Sequence, residues 1–492
     1  MTNERQYLLS DVQYAFFIGR KDGVSCHVYL EITGKDLSVP QLIEAWKQLA
    51  NRHMALRCQI SDMGTVSISE NIDVTKWIQI LNLEDSDKEL EKIRQERQSR
   101  LMNIANGELA GMVICKLPKN KYRILLDFDC VGYDITSFQI LLRDFFRFYA
   151  KKPLNEIDES FNPYQDKKKL EVTKNQILED KIYWEDKVSK MPAAPKFQTS
   201  HSLEDLEEIA YQFYGMYVEE KEFRALKEYA LKKDCSIEEV LLAIFSKAVH
   251  EMTKQNRYLL NLPILSRSLY DETMQNIVGD FTELMIFEVD CENWEDFDKV
   301  LQKVKTDYRK DRMHRSFSGI KVQKLLSKTV PITFSPHLAI DLSDDDFVKN
   351  LGNITYLTTQ TPKVTMDSQF YQIQGRLYMM LVTVKDLFEP GLEESLLKEM
   401  TKIIQNLITN KEEKPTFEVI YDYIRNSYTE VLELESNFDE NLSFTQLGGD
   451  SVSFRRFQHL IFQKFKVRLS FRKLFQCKSV WELAKLIECE IH

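Results

Sequence analysis

At 492 residues, 43% hydrophobic and 11% aromatic, the chain is long and apolar enough to bury two or three cores rather than one. A net charge of −10 without a basic stripe argues against nucleic acid as a partner, and no stretch approaches the roughly 20 apolar residues of a membrane span. The eight cysteines are scattered without a C-x-x-C pair or a His/Cys cluster at ligand spacing, and Met1 to Ser10 has no apolar signal core, so a cytoplasmic protein with reduced thiols and no metal is expected.

In chain order, strands are predicted over His27–Thr33 and Tyr122–Asp129, and helices over Gln41–Asn51 and Ile135–Tyr149. In the second helix Phe138, Leu141, Leu142, Phe145 and Tyr149 recur at the spacing of a buried face. A charged connection, Lys151 to Lys169, leads to Lys174–Val188 and to Met191-Pro-Ala-Ala-Pro195. From about residue 209 a strand, paired helices, further strands and a final helix at Leu392–Ile408 form a second half of similar make-up. The expected class is α/β, with lobes at 1–170 and 171–409 and a cleft between them.

The polar run Asn410 to Pro415 marks a linker at 410–416. Beyond it, residues 417–492 carry a small four-helix pattern. Phe417, Ile420, Ile424, Val431 and Leu432 share one face, and a second helix from Ser451 carries Val452, Phe457, Leu460 and Ile461. Leu474 and Phe475 open a short third element, and Val480, Leu483, Ala484 and Ile487 mark the last.

The second of these helices is entered through Leu447-Gly448-Gly449-Asp450-Ser451. This phrase, set in four helices, resembles the attachment site of acyl and peptidyl carrier proteins, in which the serine hydroxyl carries 4′-phosphopantetheine. The resemblance implies that cofactor on Ser451, close to helix N–H groups that favour a phosphate. The structural alternative makes Ser451 an ordinary N-cap.

The acidic segment Asp127-Phe-Asp129-Cys-Val-Gly-Tyr-Asp134-Ile-Thr-Ser137 admits three readings. Asp127-x-Asp129 after an apolar strand resembles the haloacid-dehalogenase nucleophile loop, which would need Mg²⁺ and further motifs for which Asp344-Asp345-Asp346 is a poor substitute. Structurally, Asp134 caps a helix and an arginine holds Asp129. Taken together, Asp129, Asp134 and Ser137 form D-x4-D-x2-S, which resembles the signature of the heterocyclisation domains of nonribosomal peptide synthetases. None of the eight histidines is adjacent to another, so the H-H-x-x-x-D-G signature of ordinary condensation domains is absent.

Further phrases follow in that family's order. Ser10-x-x-Gln13-x-Ala15-Phe16-x-x-Gly19-Arg20 resembles S-x-x-Q-x-A-Y-x-x-G-R, Arg52-His53-Met54-Ala55-Leu56 resembles R-H-x-M-L, and Pro192-x-x-Pro195 keeps the prolines of L-P-x-x-P. Gly279-Asp280-Phe281-Thr282-x-Leu284 matches G-D-F-T-x-L, Pro331 to Leu338 resembles P-V-V-F-T-S-x-L, and Gln360-Thr361-Pro362 through Asp367 and Gln369 resembles Q-T-P-Q-V-x-x-D-x-Q.

The resemblance implies two chloramphenicol-acetyltransferase-like lobes of the condensation-domain superfamily. It implies condensation of a carrier-bound acyl donor with carrier-bound cysteine, serine or threonine, then cyclodehydration to a thiazoline or oxazoline. It assigns acid/base work to Asp367 and an orienting or relaying hydroxyl to Ser335, which replaces a threonine; the structural alternative for Ser335 is a satisfied strand-end hydroxyl. Asp129, Asp134 and Ser137 are expected at the cleft. The implied partners are an upstream acyl or aryl carrier protein, an adenylation enzyme acting in trans and a phosphopantetheinyl transferase. Docking is expected on the helix from Ser451, at Val452 and Arg455-Arg456. Amide formation without cyclisation and non-catalytic carrier docking are the alternative functions.

Overall fold

A computed structural model describes residues 6–69, 72–84, 86–157, 174–265, 276–409, 417–435, 437–465 and 467–491. The expected linker 410–416 and the 158–169 portion of the charged connection lie outside them. The chain separates into two compact units, Met1–Gln405 and Asn406–His492.

The larger unit is built on two sheets. One has five strands in the order Asn353–Gln360, His27–Lys35, Lys121–Asp129, Ala110–Leu117 and Ile78–Asn82. The other has six, in the order Thr282–Asp290, Arg257–Leu265, Ile332–Asp341, Met366–Ile373, Arg376–Val384 and Tyr211–Val218. A short sheet of Gln6–Leu8, Thr65–Ile68 and Cys58–Ile60 accompanies them.

The division at residue 170 misses one crossing. Strand Asn353–Gln360 leaves the second half and pairs antiparallel with His27–Lys35, Gln360 facing His27. It satisfies an edge that would otherwise present a row of unpaired backbone groups. The helix Ile135–Tyr149 forms as expected and buries Phe138, Leu141, Leu142 and Phe145. It packs on Val39–Arg52, where Trp46 meets Phe145 edge to face at 6.0 Å.

The R-H-x-x-L phrase lies beside this contact. Fully buried Asp144 accepts from Arg52 Nε at 3.0 Å and pairs with His53 Nε2 at 2.9 Å and Arg143 at 2.8 Å. Burial opposes its ionisation, but the His53 hydrogen bond and the Arg143 charge together hold its carboxyl below the usual range. Asp144→Ala would leave Arg52 and Arg143 without their shared carboxylate and buried His53 without its hydrogen-bond partner, and a loss of about 3–5 kcal/mol is expected on urea denaturation.

The smaller unit has helices Phe417–Leu432, Ser451–Phe465, Phe471–Gln476 and Val480–Ile491. Ile420, Ile424, Phe457, Ile461, Val480, Leu483, Ala484 and Ile487 form its core. Val452, expected on the docking face of its helix, is 64% exposed, and Phe454 takes the inward position.

Candidate active site and carrier site

Strands Ile332–Asp341 and Met366–Ile373 run parallel and adjacent, with Thr333 opposite Asp367 and Ser335 opposite Gln369. Side chains alternate along a strand, so Thr333, Ser335 and His337 share a face with Asp367, Gln369 and Tyr371. All six line a cavity of about 530 Å³, to which Thr359 of the other sheet, and Cys26 and Cys130 beside its strand ends, also contribute.

Ser335 Oγ donates to Asp367 Oδ1 at 2.7 Å, and Gln369 Nε2 donates to Asp367 Oδ2 at 2.7 Å. Burial pushes the Asp367 carboxyl up to about 6, against the opposing pull of the two hydrogen bonds. Among the described residues no cation pairs with it. A carboxyl that exchanges a proton near neutral pH, with a hydroxyl fixed beside it, suits proton transfer in both directions.

The acidic segment of the first half is held differently. Asp129 is fully buried, pairs with Arg20 and accepts from Val131 N at 3.1 Å; burial pushes its carboxyl up to about 6 while Arg20 opposes this. Asp134 caps Ile135–Tyr149, with Oδ1 accepting from Ser137 N at 2.7 Å and Oδ2 accepting from Phe281 N at 3.0 Å. Ser137 Oγ donates to Gly279 O at 2.8 Å.

Thus D-x4-D-x2-S is bonded to G-D-F-T, and Asp280 ties both to the helix Asp11–Lys21 by accepting from the Oγ of its N-cap Ser10 at 2.7 Å. Of the three, Asp134 reaches the lining of the cavity that holds Ser335 and Asp367. Asp127, the other carboxylate of the phosphotransfer reading, is buried and bonded to Arg97 at 2.7 Å and Arg100 at 2.5 Å. Both oxygens of Asp127 are thus taken by guanidinium groups. The Asp344 run serves as a helix cap, with Oδ1 of Asp344 accepting from Phe347 N.

Sequence reading gave no role to Gln369 and passed over Thr359 and Tyr371. The D-x-Q spacing was the available signal, because i and i+2 on a strand point the same way.

In the smaller unit Ser451 is exposed at the first position of a 15-residue helix. Gly448, at φ 93°, takes the left-handed turn before it, and a Cβ on Gly449 would strike the Phe444 ring. The cap is Asp450, whose Oδ1 accepts from Val452 N at 3.0 Å and Ser453 N at 2.8 Å. This removes the reading of Ser451 as an N-cap. Ser451 does sit at a helix N-terminus as expected, with the N–H groups of Val452 and Ser453 engaged by Asp450. An exposed primary hydroxyl with no capping duty, on a turn that only small residues permit, fits covalent attachment of a phosphopantetheine arm.

The condensation-domain family model matches residues 3–420. The chain belongs to the condensation-domain family. A second model, the phosphopantetheine attachment site, matches residues 422–487, so this condensation-domain protein also contains the domain that carries covalent 4′-phosphopantetheine on a serine.

It is 22% identical over 434 residues to pyochelin synthetase PchE of Pseudomonas aeruginosa, covering 84% of this chain and 30% of that protein. With phenyloxazoline synthase MbtB of Mycobacterium tuberculosis it shares 25% over 409 residues, 79% of this chain and 29% of that one. Bacitracin synthase 1 of Bacillus licheniformis is 23% identical over 82% of this chain, which spans 8% of it. The chain therefore spans less than a third of each of these relatives. Among solved structures, the cyclization-docking bidomain of the EpoB synthetase from Sorangium cellulosum has the same fold, with a TM-score of 0.76 at 21% identity, covering 83% of this chain and 85% of that one. No helix among the described residues is long and apolar enough to cross a membrane.

Proposed function

We propose that this condensation-domain protein joins a carrier-bound acyl donor to carrier-bound cysteine, serine or threonine and cyclodehydrates the product to a thiazoline or oxazoline. The observation that carries the reading is the Ser335–Asp367 hydrogen bond of 2.7 Å on the wall of a cavity of about 530 Å³, on a carboxyl without a cationic partner among the described residues. The names of the relatives PchE and MbtB, a pyochelin and a phenyloxazoline synthase, agree with it.

A 4′-phosphopantetheine ester on Ser451 would supply a flexible thiol for holding a substrate as a thioester. In condensation the substrate amine displaces the donor's thiol, forming C–N and breaking C–S. The acceptor's thiol or hydroxyl then adds to the new amide carbon, and its proton goes to the carbonyl oxygen. Protonated Asp367 gives its proton to that oxygen, which leaves as water when C–O breaks. The nitrogen's proton passes to the resulting carboxylate, C=N forms, and Asp367 is restored. Ser335 holds the carboxyl in line through this exchange.

Asp129, Asp134 and Ser137 act in this reading as the scaffold of the cleft, because their oxygens already serve Arg20, backbone N–H groups and Gly279. The donor arrives on a separate carrier, an adenylating enzyme activates the amino acid, and a phosphopantetheinyl transferase loads Ser451. Exposed Val452, Arg455 and Arg456 offer these proteins a mixed apolar and basic face.

The test is mass spectrometry of the product after supplying donor and cysteinyl carriers. Amide minus one water supports the reading; amide alone in the wild type replaces it with simple condensation, and no product leaves carrier docking. Ser335→Ala should lower ring formation about 10–100-fold, the value of one hydrogen bond to a charged group, with amide formation retained. Ser335→Thr should keep activity near wild type.

A further inference from the structure

Asp367 lies at one end of a chain of hydrogen bonds that the reaction above does not use. Gln369 Nε2 donates both to Asp367 Oδ2 at 2.7 Å and to Thr359 Oγ1 at 2.6 Å, which engages both amide hydrogens. Gln369 Oε1 accepts from the Tyr371 hydroxyl at 2.8 Å. Asp367, Gln369 and Tyr371 alternate along one strand of the six-stranded sheet, whereas Thr359 belongs to the five-stranded sheet. Gln369 and Tyr371 are buried, so these hydrogen bonds are made away from bulk solvent.

The two ends of a glutamine amide have nearly the same shape and opposite hydrogen-bonding character, so its neighbours decide which end faces which. Turned over, Gln369 would set its oxygen against an ionised carboxylate and lose the stabilising donor. Tyr371 opposes that turn. Burial pushes its phenol well above the ordinary range, so the hydroxyl keeps its proton and remains a donor aimed at Oε1.

We propose that Tyr371 and Gln369 are a positioning pair for the Asp367 carboxyl: the tyrosine hydroxyl pins the amide with Nε2 toward Asp367, and that hydrogen bond sets the pH range over which the carboxyl changes charge. The titratable groups that share the cavity with Asp367 are Tyr371 on its own strand, His337 on the parallel strand, Cys26, His27 and Cys130 at the ends of strands of the other sheet, and Asp11, Tyr14, Lys324 and Lys363 elsewhere on the lining, while Tyr211 on Tyr211–Val218 feels its charge. Val382, opposite on Arg376–Val384, brings no charge. Asp134 lines the same cavity with its carboxylate turned to backbone N–H groups. With no cation paired to it among the described residues, the hydrogen bonds from Ser335 and Gln369 are what favour its charged form.

This deepens the acid/base reading of Asp367 and is measurable without turnover. The full chain, labelled with ¹³C at aspartate carboxyls, is titrated by infrared difference spectroscopy with Asp367→Asn as the subtraction, so the Asp367 carboxyl band is read directly. The wild type should titrate near 6. Gln369→Leu should titrate about one unit or more higher, having lost a hydrogen bond to the charged form, and Tyr371→Phe should shift upward by a smaller step. Tyr371→Phe keeps the ring and its packing, so it carries the test alone if Gln369→Leu fails to fold. A Phe variant that titrates with the wild type overturns the proposal, as does a downward shift in either variant. The experiment uses no donor or acceptor, so a wild type that makes amide but no ring would sink the cyclisation reading and leave this result intact.

Discussion

Ser451→Ala protein incubated with coenzyme A and a broad-specificity phosphopantetheinyl transferase should gain no mass, while the wild type gains one phosphopantetheinyl group. The contrast is expected to be complete because the neighbouring hydroxyl is already committed. Ser453 Oγ donates to the Asp450 carboxylate at 2.8 Å and accepts from Asp450 N at 2.8 Å, whereas Ser451 is exposed. The substitution should also leave the fold alone. Asp450 holds the helix start, and Ser451 is exposed and stands outside the set Phe454, Phe457 and Ile461 that the helix buries. Intact-protein mass and a circular-dichroism melt of both proteins check the two halves of the expectation. Unmodified, folded wild type would remove the carrier from the proposed function and bring forward the reading of a protein that only docks carriers.

What the sequence disclosed follows the range of the forces involved. Helix Ile135–Tyr149 was legible because its apolar period and its Asp134 cap are local, and the four short helices after residue 417 were legible for the same reason. Strand Asn353–Gln360 was not assigned to the first lobe's sheet, since its partner His27–Lys35 lies more than 300 residues earlier and pairing leaves no periodic trace. At the candidate site, Asp367 and Ser335 were named from motif resemblance, which says nothing of distance. Their contact rests on the parallel register of two strands. Thr359 was out of reach for a further reason: its role exists only where two sheets meet at one glutamine. Conversely, Asp129 and Asp134 drew attention as a pair of acids, yet an arginine and backbone donors distant in sequence engage both.

Asp367→Ala should lower cyclodehydration by about 10²–10⁴-fold, the usual worth of a positioned proton donor and acceptor, while amide formation survives. The pH dependence follows from the same burial. The leaving oxygen needs the protonated carboxyl, so ring formation should fall as pH rises above about 6, and that limb should be missing from amide formation. The stability argument runs the other way. With its folded value raised above the ordinary 3.8, Asp367 favours the folded state most fully below that ordinary value; the contribution is lost as pH rises through about 6, and the ionised group is a burden at neutral pH. Asp367→Asn can accept from Gln369 and donate to Ser335 without charge, so it should gain up to about 3 kcal/mol over the wild type at pH 8 and little at pH 3. A variant that is more stable at neutral pH and unable to close the ring would mark Asp367 as a group retained for chemistry against its cost to the fold. Equal urea midpoints at pH 8 would show instead that water reaches the carboxyl and that its raised value has another origin.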